Sequence, residues 1–143
     1  MNRTAIRLLA ALTAVACAAP CVAADFTFDV PVRVDNLPSL TSIAVNCVVY
    51  TAYPGGSIIA VNRSAPVPVS GGSYAGTIVV EVNNAGLTPS SDARAYSCAL
   101  TGEGTGRTGT RYGLSPDNFA DVYARATGHS LVSPNNRVRG PIP

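Results

Sequence analysis

The chain predicts an all-β domain, an antiparallel sandwich with one short helix toward its C-terminal end. Three observations carry this. Apolar and polar residues alternate over segments five to nine residues long, the period of half-buried strands. Turn residues recur about every 8–12 positions, a spacing typical of sandwiches and barrels. The period becomes helical only once, after Ser115.

Residues 1–24 have the three parts of a secretory signal. Arg3 and Arg7 form the positive start, and Leu8–Ala19 is apolar but shorter than the roughly 20 residues that span a bilayer. Val22-Ala23-Ala24 places small residues before Asp25. A lipoprotein signal ending at Cys17 is the alternative, but Ala14 stands where such signals usually carry Leu. Two domain segments follow, a β-sandwich over 25–132 and a flexible, disordered tail over 133–143, which holds three prolines and no apolar cluster.

In the mature part, Phe26, Phe28, Val30, Val32 and Val34 face one way and Thr27, Asp29, Pro31 and Arg33 the other. Pro31 cannot donate to a ladder, so this first strand belongs on an edge. Asn36–Ser39 turns the chain. A second strand follows over 42–50, with Ile43, Val45, Cys47 and Val49 on one face, and Pro54-Gly55-Gly56 ends it. Residues 57–61 make a short strand, and Val67 and Val69 an extended edge piece. The strongest strand is 74–82, closed by Asn83-Asn84-Ala85-Gly86. Another spans 94–100 and contains Cys98. Residues 101–113, with five glycines, read as a mobile hairpin or loop. Ser115 as cap, Pro116 at the first helical position and Asp117 then predict a helix over 116–127. Phe119, Val122, Tyr123 and Ala126 share its apolar face, and Gly128 stops it.

Charged residues make up 13% of the 143-residue chain and apolar ones 47%. All ten basic residues are arginine; without Arg3 and Arg7, eight face eight acids, so the mature charge is zero. A nucleic-acid binder needs a clustered positive surface, and this balance argues against one. The lysine-free, Ala-, Arg- and Gly-rich usage looks bacterial. An exported location, periplasmic or secreted, with no membrane span follows from the leader. Cleavage would leave Cys47 and Cys98, and two cysteines in an exported chain favour one disulfide; two buried free thiols are the alternative.

Asp92 and Tyr96 stand six and two residues before Cys98. That pattern resembles the immunoglobulin fold, whose tyrosine corner bonds a phenol to backbone at one end of the sandwich. The resemblance implies an immunoglobulin-like sandwich over roughly residues 26–100, with Cys47 as the other half of an inter-sheet bridge. Arg94 departs from the pattern, where such domains prefer Gly or Ala, and no tryptophan is present to pack on the bridge. The resemblance implies a fold and no activity.

For chemistry, Gly104-Thr105-Gly106-Arg107-Thr108-Gly109 spells a dinucleotide pattern, but Thr110–Gly113 cannot open the helix whose N-terminus would take the pyrophosphate. The best candidate contact is Arg107, Arg111 and Tyr112, where glycine-rich backbone and two guanidinium groups could clamp a carboxylate or phosphate; solvated loop arginines are the plainer reading. His129 lacks a marked nucleophile beside it, with Ser130 and Asp121 the nearest options. Two cysteines and one histidine show no zinc spacing. No catalytic residues, no cofactor and no metal are therefore expected.

The sequence thus points to an exported, non-catalytic module that binds a protein or cell-envelope component. The alternatives are an assembly subunit that pairs through its first strand, as fimbrial domains do, and a small secreted hydrolase. Proline and charge on the first strand favour pairing within the chain and a monomer. The mature protein is expected to begin at Asp25; the intact mass of the exported species checks this, and a start before residue 20 would contradict it.

Overall fold

Alternation decides the smaller of two sheets. A computed structural model describes residues 24–129 and 136–143, so the expected leader, apart from Ala24, falls outside the described residues. Strand β1 (Phe26–Val34) pairs antiparallel with β5 (Tyr74–Val82), from Phe26 opposite Val82 to Val34 opposite Tyr74 with no bulge. Val30, Val32 and Val34 of β1 and Ile78, Val80 and Val82 of β5 are buried, while Thr27, Asp29, Pro31 and Arg33 face out. Both strands have the bounds that the two-residue period predicts.

The larger sheet is built on two long central strands, β2 (Leu40–Tyr50) and β6 (Ala95–Thr105), paired antiparallel. Each outer flank is shared by two short strands. β3 (Ile58–Arg63) and β4 (Val67–Pro68) lie along β2. β7 (Arg111–Leu114) and β8 (Arg137–Pro141) lie along β6. Ile43, Val45, Cys47, Val49 and Cys98 join the inner faces of β1 and β5 in one buried cluster. The architecture is two antiparallel sheets over a common core, with one helix, α1 (Phe119–Thr127). Among the described residues, no helix is long and apolar enough to cross a membrane.

Cys47 and Cys98 form a disulfide. They are direct cross-strand partners on β2 and β6, with Cα atoms 4.0 Å apart. The bridge therefore lies within one sheet, not between two as the immunoglobulin resemblance implies. Tyr96 turns its ring to Phe28 of the other sheet, with centroids 4.8 Å apart.

Of the two readings of the glycine-rich stretch the hairpin is the one observed, and two further expectations need correction. The glycine-rich stretch is a hairpin for much of its length, because β6 continues to Thr105 and β7 follows. Gly102 and Gly104 are part of the sheet: a Cβ on Gly104 would lie 2.3 Å from both the Ser39 carbonyl and the Tyr112 hydroxyl. Only the missing side chain admits these neighbours, so glycine here marks close packing. The tail expected to be disordered contains β8; residues 133–135 of it lie outside the described residues. Ala95–Ala99 offer β8 an open ladder edge, and Gly140 fits beneath the Tyr96 ring, where a Cβ would come within 2.9 Å of it. The helix begins at Phe119, later than expected, because Ser115 bonds Asn118 instead of capping the first turn: its backbone N–H and its hydroxyl both donate to Asn118 Oδ1. Gly128 ends the helix in the left-handed conformation, φ 77°.

Replacing both Cys47 and Cys98 with alanine is expected to lower the unfolding free energy by about 2–4 kcal/mol without separating β2 from β6, whose ladder extends well beyond the bridge. Denaturant titration measures the loss, and non-reducing peptide mapping should recover the two cysteines joined.

Candidate functional site

The hairpin between β6 and β7 and the last turns of α1 enclose a cleft of ≈ 370 Å³. Local bonds shape the hairpin tip. Gly106 donates to the Thr110 carbonyl at 2.9 Å and Gly109, at φ 76°, to that of Gly106 at 3.0 Å. The Thr108 and Thr110 hydroxyls lie 3.1 Å apart. Arg107 N–H donates to the Ala126 carbonyl at 3.0 Å, tying the tip to the helix end. The Arg107 guanidinium lies over Gly128, where a Cβ would approach it to 2.8 Å.

The helix reaches this position because Phe119, Tyr123 and Thr127, four residues apart, are all buried against the sheet. Its neighbouring stripe, Val122, Arg125 and Ala126, then faces the hairpin and lines the cleft. Arg107, Arg111 and Arg125 thus gather around an apolar wall of Val122, Ala126 and the Tyr112 ring. Glu103 lies beside Arg111, with Oε2 3.8 Å from Arg111 Nη2 and both side chains well exposed. Such a pair contributes little stability and leaves the arginine available. The cleft carries local positive charge, whereas residues 25–143 as a whole hold eight arginines and eight acids.

Two of the expected contact residues, Arg107 and Arg111, come together, and the fold adds Arg125. No sequence spacing links residue 125 to the hairpin; only the docking of α1 brings it there. Tyr112 takes part differently from the expectation. Its ring lines the cleft, but its hydroxyl is buried toward Gly104 without a hydrogen-bond partner. Burial, reinforced by the neighbouring Tyr123 phenol, pushes the Tyr112 pKa up to about 12. The Tyr123 ring, edge-on at 6.3 Å, is wholly buried, and burial raises its phenol too.

The dinucleotide pattern runs from strand β6 around the hairpin tip, and strand β7 follows it in place of a helix. His129 is exposed, and its backbone N–H donates to the Thr127 hydroxyl; Ser130 lies outside the described residues. No cluster of three or more His, Cys, Asp or Glu suited to a metal occurs among the described residues. A second cleft, ≈ 500 Å³, also carries arginines, but both are engaged. Arg94 donates to the Ser91 and Ala93 carbonyls, and Arg139 sits 4.9 Å from the centre of the Tyr53 ring. Compared with family models, curated proteins and solved structures, the chain matches none.

The raised Tyr112 phenol has a pH consequence. The unfolded chain loses this proton near pH 10 and the folded chain near 12, so stability present below pH 10 is lost as pH rises toward 12. Tyr112→Phe should make the fall over that window shallower, and it should leave neutral-pH stability equal or higher, because it removes an unpaired buried hydroxyl. Denaturant titrations of both proteins at pH 7, 10 and 11.5 test this.

Proposed function

We propose that the protein is an exported, non-catalytic binding module and that the arginine cleft is where it meets an anionic component of the cell envelope. The observation that carries this reading is the convergence of Arg107, Arg111 and Arg125 on one cleft, with Glu103 only loosely paired to Arg111. Guanidinium forks match carboxylate and phosphate oxygens in pairs. The Val122 and Tyr112 wall suits a ligand with an apolar or ring-shaped body next to its charge. Export rests on the leader-like composition of residues 1–24. The reading takes nothing from the immunoglobulin resemblance, whose inter-sheet bridge differs from the Cys47–Cys98 arrangement.

The assembly reading, with the first strand given to a neighbouring subunit, has less support. β1 finds an antiparallel partner in β5 of its own chain at every one of its nine positions.

With no net charge on the mature chain, retention on an anionic matrix needs a local cationic patch. The mature protein should therefore be retained at low salt on immobilised carboxylate or phosphate polymers. Joint substitution of Arg107, Arg111 and Arg125 by Gln should weaken that retention at least about tenfold, roughly 1.4 kcal/mol. Arg33→Gln, which removes an exposed arginine paired with Asp35, should leave it unchanged. Equal retention of all three proteins would refute the assignment.

A further inference from the structure

The two-stranded β1–β5 sheet has two outer edges, and they differ. Asn62 Nδ2 donates to the Glu81 carbonyl at 2.6 Å, so the backbone groups of Glu81 point away from β1. In an antiparallel pair a residue's N–H and C=O share one side and alternate along the strand. Ala75, Thr77 and Val79 therefore also present their backbone groups outward. The same parity, through the Pro31–Thr77 register, puts Pro31 on the outer edge of β1, where it removes a donor between Asp29 and Arg33. Proline and charge are the usual guards of an exposed edge. β5 has neither between Tyr74 and Val80, and no bulge. Among the described residues no strand pairs with the outer edge of this stretch, Val79 is 52% exposed, and Val61 beside Asn62 is 57% exposed.

We propose that the free edge of β5 pairs antiparallel with β5 of a second copy of this chain, about a two-fold axis at Thr77. The Glu81 carbonyl is already taken, so the free edge runs from Ala75 to Val79 and Thr77 is its midpoint. That register sets Thr77 opposite Thr77 of the partner subunit and Ala75 opposite Val79 of the partner subunit. These are the residues whose backbone groups point outward, so each facing pair can exchange two hydrogen bonds. Threonine pairs and β-branched contacts favour such a seam, and no charge meets a like charge across it. The two ribbons become one four-stranded sheet, β1-β5-β5-β1. The proline and charges that guard the β1 edge, from which the sequence predicts a monomer, have no counterpart on the β5 edge.

Sedimentation velocity of the oxidised mature protein over a wide concentration range tests the proposal. The expected result is a reversible dimer. Thr77→Pro removes an outward donor and no donor to β1, and should weaken the dimer about tenfold or more. Two double variants read the register without a proline. Ala75→Glu with Val79→Glu places like charges face to face and should dissociate the dimer. Ala75→Glu with Val79→Lys places opposite charges face to face, across the seam and toward Arg33 and Asp29 of its own chain, and should retain it. A protein that stays monomeric at the highest concentration overturns the proposal. So does a dimer indifferent to the Glu/Glu pair, or one weakened equally by both double variants.

Discussion

Cys47 and Cys98 can be joined only because β2 and β6 lie side by side with these residues opposed, and that pairing organises the rest of the molecule. β3 and β4 depend on the far edge of β2, β7 and β8 on the far edge of β6. The inner faces of the same two strands supply the floor on which β1 and β5 lie. Helix α1 reaches its place through β7, against which its buried face packs. The sequence separation of 51 between the cysteines means that a long loop must close before any of this forms. Once made, the bridge limits how far the unfolded chain can spread.

Close backbone approach is the second constraint. The turn at Ser39, strand β6 and strand β7 meet at Gly104 with no room for a side chain. Thr105 N–H donates to the Ser39 carbonyl at 3.0 Å, so the same place holds the β2 entry turn against the end of β6. The hairpin that carries Arg107 and Arg111 grows directly from it. Geometry deep in the sheet thus sets where the cationic residues stand, and the buried Tyr112–Tyr123 pair fixes the wall behind them.

The sequence was most legible where one face of a strand is buried and the other wet. β1 and β5 satisfy that condition and their ends are correctly readable. β6 is buried more evenly and contains glycines, so its second half loses the alternating signal and looks like a loop. β8 is short and ends in proline, and its residues are mostly half-buried or exposed; it is a strand because β6 offers it an edge, which no local pattern announces. The cysteine pair was readable as a bridge, but its place within one sheet was not, since spacing does not distinguish a cross-strand partner from a facing one. Arg107 and Arg111 were visible through their glycine-rich setting. Arg125 is a last-turn cation favourable to the helix dipole, and only tertiary docking sets it beside them.

The outer edge of β6 is divided between β8, along Ala95–Ala99, and β7, along Gly102–Thr105. A single long strand would open or close as a whole. Two short ones can fray separately, because neither hydrogen-bonds to the other. β7 is braced by α1, while β8 is held by its ladder, by Ile142 N–H bonding to the Arg94 carbonyl, by Arg137 donating to Asp117 Oδ1 and by Arg139 over the Tyr53 ring. On this architecture the β2–β6 centre is the part expected to open last and the outer strands first. A transient departure of β8 would uncover Tyr96 and half of a central strand while leaving the arginine hairpin in place.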